Sequence, residues 1–377
     1  MKICFVVDSY PGLFKFGGIA AYTRTAAQAL AARGHEVHVL IARRAPRSDC
    51  TDGAVHLHIR RVGWLPLLAK RFPGLGESIS VAWALFWLQR RFGFDVVEFP
   101  NWEGIGLVSV WTGICRSVVR LHTSMAESLE VAGRTPTMGD RFMMWAERAS
   151  ARRAGRAVTH SRAHCDRLRA SYGLGDVEII PHGIALPNRE KSITSKPLSV
   201  MTVGPLNARK GVATLLKAIP LVLEKVSQAE FWIVGGSEEH PLAVEFRRDH
   251  PTVTNVRFLG FVEGERLAEL YSTCGVYVSA SIYESFGLTF VEAMACGKPV
   301  VGCAAGAVPE IIEHEINGLL VPPSDEVGFA EAITRLLLSK EECERFGKAG
   351  ERLARENYSM ERMGADLERF FEKVCKG

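Results

Sequence analysis

Two glutamates, Glu284 and Glu292, stand eight residues apart in the stretch Tyr283-Glu284-Ser285-Phe286-Gly287-Leu288-Thr289-Phe290-Val291-Glu292. Val276-Tyr277-Val278 ahead of them reads as a buried strand, which puts Glu284 in the loop at that strand's carboxyl end. In open α/β sheets ligands bind in the crevice at such ends. Phe286-Gly287-Leu288 then opens a helical pattern that Gly297-Lys298-Pro299 stops. The unpaired N–H groups at a helix start receive an anion such as a diphosphate, and Gly287 removes the Cβ that would hold a ligand off the backbone. Glu292, about one turn further in, is placed to accept two hydrogen bonds from a ribose diol. A plainer reading stands beside this one. Thr289 to Glu292 also fits a capping box, with Glu292 turned back onto the helix's own N–H, and Glu284 as a solvated loop carboxylate.

A second charged stretch, Asn207-Ala208-Arg209-Lys210-Gly211, lies between a strand pattern over 198–204 and a helix pattern over 212–225. Cations disfavour a helix N-terminus, so Arg209 and Lys210 at this place imply an anion between them. The alternative is a solvated helix start. His122 directly follows the apolar run Val118-Val119-Arg120-Leu121, again at the carboxyl end of a strand, where a histidine is either structural or functional.

These groups need a scaffold, and the chain is long enough to supply one. Its 377 residues suit two domains, and 47% hydrophobic residues support buried cores. The longest apolar run, 79–88, is too short for a membrane span of ~20 residues. The chain begins directly in a strand pattern, without a signal-peptide cleavage region, so export is not expected. Nine cysteines with no Cys-x-x-Cys pair point to a reducing cytoplasm. Neither a metal-ligand cluster at recognisable spacing nor Asp-x-Asp occurs, so no metal and no cofactor is expected. Net charge is +4, yet residues 1–185 hold 24 Lys+Arg against 15 Asp+Glu. The motifs of nucleic-acid readers are missing, so nucleic acid is not the expected partner.

Taken in order, the N-terminus reads as strand 2–8, a turn with Gly17-Gly18, helix 19–33 and strand 37–41. That is a Rossmann-type start, though Gly17-Gly18 alone is no Gly-x-Gly-x-x-Gly. Further strands are expected at 55–59, 95–99, 117–121, 157–159, 177–180, 231–236 and 256–261, with helical patterns between. The polar stretch 186–197 reads as a linker between domains spanning 1–185 and 198–358, and three helices close the chain over 325–339, 341–357 and 360–376.

The Glu284–Glu292 stretch, with Ile180-Pro181-His182-Gly183, Lys210-Gly211 and Asn317-Gly318-Leu319, resembles the retaining glycosyltransferases of family four. The resemblance implies an α/β fold of two Rossmann-like domains facing a cleft, the GT-B arrangement, with the segment 359–377 crossing back to the first domain. It also implies transfer from a nucleotide-diphosphate sugar, UDP-linked by preference, to a glycan, glycolipid or small-molecule acceptor. Glu284 would fix the donor sugar, Lys210 and Arg209 the diphosphate, and His122 would lie beside the sugar. Gly287, Leu288, Glu292, Gly235 and Phe261 would bind the donor, Phe261 through its backbone near the base. Gly17, Gly18 and Asn101 would lie on the acceptor or sugar side. Two departures are visible: Pro205 stands where the family often has arginine, and His182 replaces the commoner asparagine. A nucleotide-sugar epimerase, a phosphorylase and a non-catalytic nucleotide-sugar binder are the competing readings.

Arg60-Arg61 and Lys70-Arg71 bracket Trp64 to Leu68, and Trp83, Phe86 and Trp87 precede Arg90-Arg91. Basic residues beside exposed aromatics hold a protein weakly on an anionic bilayer, here the inner face of the cell membrane. The alternative is a core helix, because Trp83 and Trp87, four apart, would share one buried face.

Overall fold

The computed structural model describes residues 1–14, 17–62, 72–187 and 195–377. The chain divides into two compact units, one of Met1–Ala185 with Met360–Gly377, the other of Leu186–Ser359.

The first unit is built on an eight-stranded sheet: β1 (Lys2–Val7), β2 (Glu36–Arg43), β3 (Ser48–Asp52), β4 (Val55–Arg61), β5 (Val96–Pro100), β6 (Ser117–Arg120), β7 (Ala157–Thr159) and β8 (Val177–Ile179). The spatial order is β3-β4-β2-β1-β5-β6-β7-β8, parallel apart from β3, which runs antiparallel to β4. Strand side chains alternate between faces. Ile3, Phe5 and Val7 accordingly enter a core with the helices Gly18–Ala32 and Met360–Lys376. Cys4 and Val6 enter another, with Val81, Leu85 and Leu88 of the helix Leu75–Phe92. Such central strands are apolar on both faces, which is why they were legible as continuous runs. Truncating Phe5, 1% exposed, to alanine would cost ~3–5 kcal/mol.

The edge strand β3, Ser-Asp-Cys-Thr-Asp, was not expected, and its residues are mostly exposed. It lacks an apolar pattern because backbone pairing with β4, not burial, holds it. The helix Leu75–Phe92 also departs from the core-helix reading. It buries Val81, Ala82, Leu85 and Leu88, while Trp83 and Trp87 are 60% and 54% exposed. The two tryptophans do share a face, but the outer one. The segment Trp64 to Leu68, with Lys70-Arg71, lies outside the described residues.

The second unit carries a six-stranded parallel sheet: β9 (Lys196–Val203), β10 (Glu230–Val234), β11 (Val256–Gly260), β12 (Cys274–Ser279), β13 (Val300–Cys303) and β14 (Gly318–Val321). Its order is β11-β10-β9-β12-β13-β14, so chain order reverses between β9 and β12. β9 already starts at Lys196, inside the stretch read as linker. Its core joins Val200, Phe231, Ile233, Val276 and Val278 to Leu215 and Ile219 of the helix Val212–Lys225 and Phe329 of the helix Glu326–Leu338.

Candidate active site

The reversal between β9 and β12 is the topological switch point at which open α/β sheets bind ligands. Both charged stretches lie there. The loop after β9 carries Arg209 and Lys210, and the loop after β12 carries Glu284. Gly211 lets the loops meet: its φ is +59°, and a Cβ there would stand 1.8 Å from the Ala280 carbonyl oxygen. The Ile282 N–H donates to the Arg209 carbonyl at 2.9 Å, which fixes their register.

Glu284 is the anion between the cations. Lys210 Nζ donates to Glu284 Oε1 at 2.5 Å and Arg209 Nη1 to Glu284 Oε2 at 3.1 Å. Arg209 also donates to the Tyr283 carbonyl at 3.2 Å. Glu284 is only 7% exposed, so the solvated-loop alternative does not hold. Burial pushes its carboxyl up, but Lys210 and Arg209 outweigh that and hold it below the ordinary range. Two cations on one carboxylate leave a surplus positive charge, suited to a further anion.

Gly287 precedes the helix Leu288–Ala295 with φ +108° and no side-chain cap, so the first N–H groups of that helix have no capping side chain. Glu292 does not reach back as a capping box would. Its Oε2 accepts from the Tyr271 hydroxyl at 2.7 Å, and burial raises its carboxyl to about 7. Gly235 and Phe261 follow β10 and β11 on the same carboxyl edge, Phe261 with 53% of its surface exposed. Tyr271, missed from sequence, lies 21 residues before Glu292, and nothing local marks it as a partner.

In the first unit, His122 follows β6 and Asn101 follows β5. Asn101 is fully buried and spent on positioning. Its Oδ1 accepts from the His122 N–H at 2.7 Å, and its Nδ2 donates to the His122 carbonyl at 3.1 Å. Asn101, expected on the acceptor or sugar side, braces the His122 backbone at the carboxyl end of β5. Burial, with Arg120 and His164 adding to it, pushes the His122 ring well below the ordinary histidine range. Arg120 is itself fully buried, donating to Glu98 Oε1 at 3.0 Å and lying 4.2 Å over the Tyr22 ring. Gly17 and Gly18 start the helix Gly18–Ala32, with open space where a Cβ would be.

Sequence reading missed that His122 has company. His160 follows β7 and His182 follows β8, and all three rings are buried together. The signal was present: three successive strands each end in a histidine. A recess open to solvent at the carboxyl ends of β1 and β5 is lined by Asp8, Glu77, Trp102 and Glu103. Glu103 sits there at φ +54°, and burial, Asp8 and Glu77 raise its carboxyl.

The family model described as Glycosyltransferase Family 4 matches residues 16–186, and that described as Glycosyl transferases group 1 matches residues 187–353. The phosphatidyl-myo-inositol mannosyltransferase of Mycobacterium leprae is 27% identical over 377 residues, covering 95% of this chain and 94% of the relative. The sucrose-phosphate synthase structure from Thermosynechococcus elongatus superposes with a TM-score of 0.82 at 24% identity, covering 99% and 98% of the two chains. An Anabaena protein solved with UDP-glucose superposes with a TM-score of 0.74 at 18% identity, covering 99% and 100%. Both likenesses are of fold, and the fold is GT-B.

Proposed function

This chain belongs to glycosyltransferase family four, and from that premise we propose that it is a retaining enzyme moving a sugar from a nucleotide-diphosphate sugar to an acceptor hydroxyl. The observation that carries the proposal is the Lys210–Glu284–Arg209 cluster beside the uncapped start of the helix Leu288–Ala295. Lys210, Arg209 and the helix N–H groups at Gly287 and Leu288 stabilise the charge that grows on the leaving diphosphate, the kind of term that usually dominates catalysis. Glu284, kept ionised, takes hydroxyls of the donor sugar. Glu292 takes the ribose diol. The acceptor oxygen bonds to the anomeric carbon on the face from which the carbon–oxygen bond to phosphate breaks. The acceptor proton passes to the departing diphosphate. No protein nucleophile is required, and no step calls for a metal. His122, held neutral, serves the sugar as a hydrogen-bonding group and not as a strong acid.

UDP is favoured as the nucleotide, a choice supported by the UDP-glucose complex of the Anabaena relative in fold. The recess at Asp8, Glu77, Trp102 and Glu103 suits a polyhydroxylated acceptor, since its carboxylates accept from hydroxyls and its indole covers an apolar sugar face. The outward Trp83 and Trp87, flanked by arginines, support a weak hold on an anionic membrane face, as a glycolipid acceptor would require. No helix among the described residues is long and apolar enough to cross a membrane.

A thermal-shift panel of nucleotide sugars tests the donor class. UDP-sugars at 100 times their dissociation constant should stabilise the chain by ~2.7 kcal/mol, with smaller effects from other nucleotides. A panel without any stabilising nucleotide would refute the reading. Acceptor-dependent release of nucleoside diphosphate then separates transfer from epimerisation, phosphorolysis and binding alone.

A further inference from the structure

Transfer uses one of the three gathered histidines and gives no work to the other two. We propose that His122, His160 and His182 are the ligands of a divalent metal site of zinc type, and that an ion held there inhibits the enzyme. The site itself does not depend on the transfer reading. The inhibition does, because it acts by taking His122 from the sugar.

The geometry comes from the sheet. β6, β7 and β8 are adjacent and parallel, and each is followed within three residues by one of the histidines. Neighbouring parallel strands lie ~4.8 Å apart, so their carboxyl ends deliver the three rings to one place. Ring centroids are 5.9 Å apart for His122–His160, 4.5 Å for His160–His182 and 5.8 Å for His122–His182. One nitrogen of each ring lies within 4.8 Å of a nitrogen of both others. A tetrahedral zinc with bonds of ~2.0–2.1 Å sets its ligand nitrogens ~3.4 Å apart. Closing the triangle from 4.8 Å to that spacing moves each nitrogen inward by less than ~1 Å, and the rings, inclined 18–34° to one another, turn so that their in-plane lone pairs converge on the ion.

The surroundings suit an ion. Burial keeps the rings neutral, the form that ligates. The charge of Arg120 is offset by Glu98 at 3.0 Å, so the neighbourhood does not repel a cation outright. His122 and His182 keep 6% and 7% of their surface open, so the cluster lies close beneath the protein surface. His164 stacks on His160 at 4.7 Å and lies 3.3 Å from Glu127, placing a buried carboxylate behind the cluster. The competing account is that the rings merely fill the core against Tyr22, which is 4.7 Å from His182 and 5.6 Å from His122.

The full chain, stripped with a chelator, is titrated with Co²⁺ and then Zn²⁺, without donor or acceptor. One Co²⁺ per chain should give the visible absorption of a four-coordinate site, and Zn²⁺ should displace it. The ¹⁵N signals of three imidazoles should shift together, a readout that needs no variant. His182→Asn, which installs the residue commoner in the family, should weaken binding at least ~10-fold, and so should His160→Gln. Circular dichroism melts check that both variants fold. No cobalt spectrum in the native chain, or one that His182→Asn leaves unchanged, overturns the site. Zinc occupancy without slower donor turnover overturns the inhibition.

Discussion

Glu292 shares its Oε2 with the Tyr271 hydroxyl, and burial lifts its carboxyl from 4.5 to about 7. In the unfolded chain the same carboxyl ionises near 4.5, so between these values the folded form holds the extra proton. Stability therefore falls as pH rises through this window, by on the order of 2–3 kcal/mol. Glu292→Gln should remove that part of the slope, as read from denaturant titrations at pH 5 and pH 8. On the proposed role a ribose diol is bound by the ionised form, so UDP should bind the native chain more tightly at pH 8 than at pH 6. The variant should bind it more weakly and with a flatter profile. An unchanged stability slope in the variant would show that Glu292 is not the group that titrates. Both glutamates stood out in the sequence, but their partners did not. Lys210 is 74 positions from Glu284, a distance that only the meeting of two strand-end loops closes.

The helix Leu75–Phe92 shows where element-scale reading fails. Periodicity puts Trp83 and Trp87 on one side without saying which side faces the core. Val81, Ala82, Leu85 and Leu88 fill that core, so the larger residues point outward. Arg47, Arg61 and Arg91 line a recess with them and Arg90 lies 5.3 Å over the Phe86 ring, which packs against both, and among the described residues none of these four arginines has an ion-pair partner. Arg60, also on this face, is held by Asp49 at 2.7 Å. At low salt the chain should float with vesicles containing anionic lipid and not with neutral ones. Each surface cation is worth ~1 kcal/mol, so Arg90→Ala combined with Arg91→Ala should weaken the association about 30-fold. Absence of flotation at low salt, where the attraction is strongest, would mean that the face does not meet a membrane. The parallel strands, by contrast, were easy to find, because both their faces are buried. The edge strand β3 was hidden by its polar composition. The histidine cluster left a signal, one histidine after each of three successive strands, but reading it requires knowing that β6, β7 and β8 are neighbours in the sheet.

At the scale of the molecule, both units order their strands so that chain order reverses beside the first strand of each sheet, between β1 and β5 and between β9 and β12. Residues 1–185 carry an excess of 9 positive charges, and the remainder an excess of 5 negative ones. The cluster of Lys210 and Arg209 is thus a local positive spot on an acidic background, so on the proposed function diphosphate binding depends on few residues. The central claim is that Lys210 and Arg209 hold the donor's diphosphate beside Glu284. Calorimetric titration of the full chain with UDP and with uridine, for the native protein, Lys210→Ala and Arg209→Ala, tests it most directly. Each substitution should cost ~1.5–3 kcal/mol in UDP binding and leave uridine binding nearly unchanged. Equal losses for UDP and uridine, or no loss for either, would contradict the account.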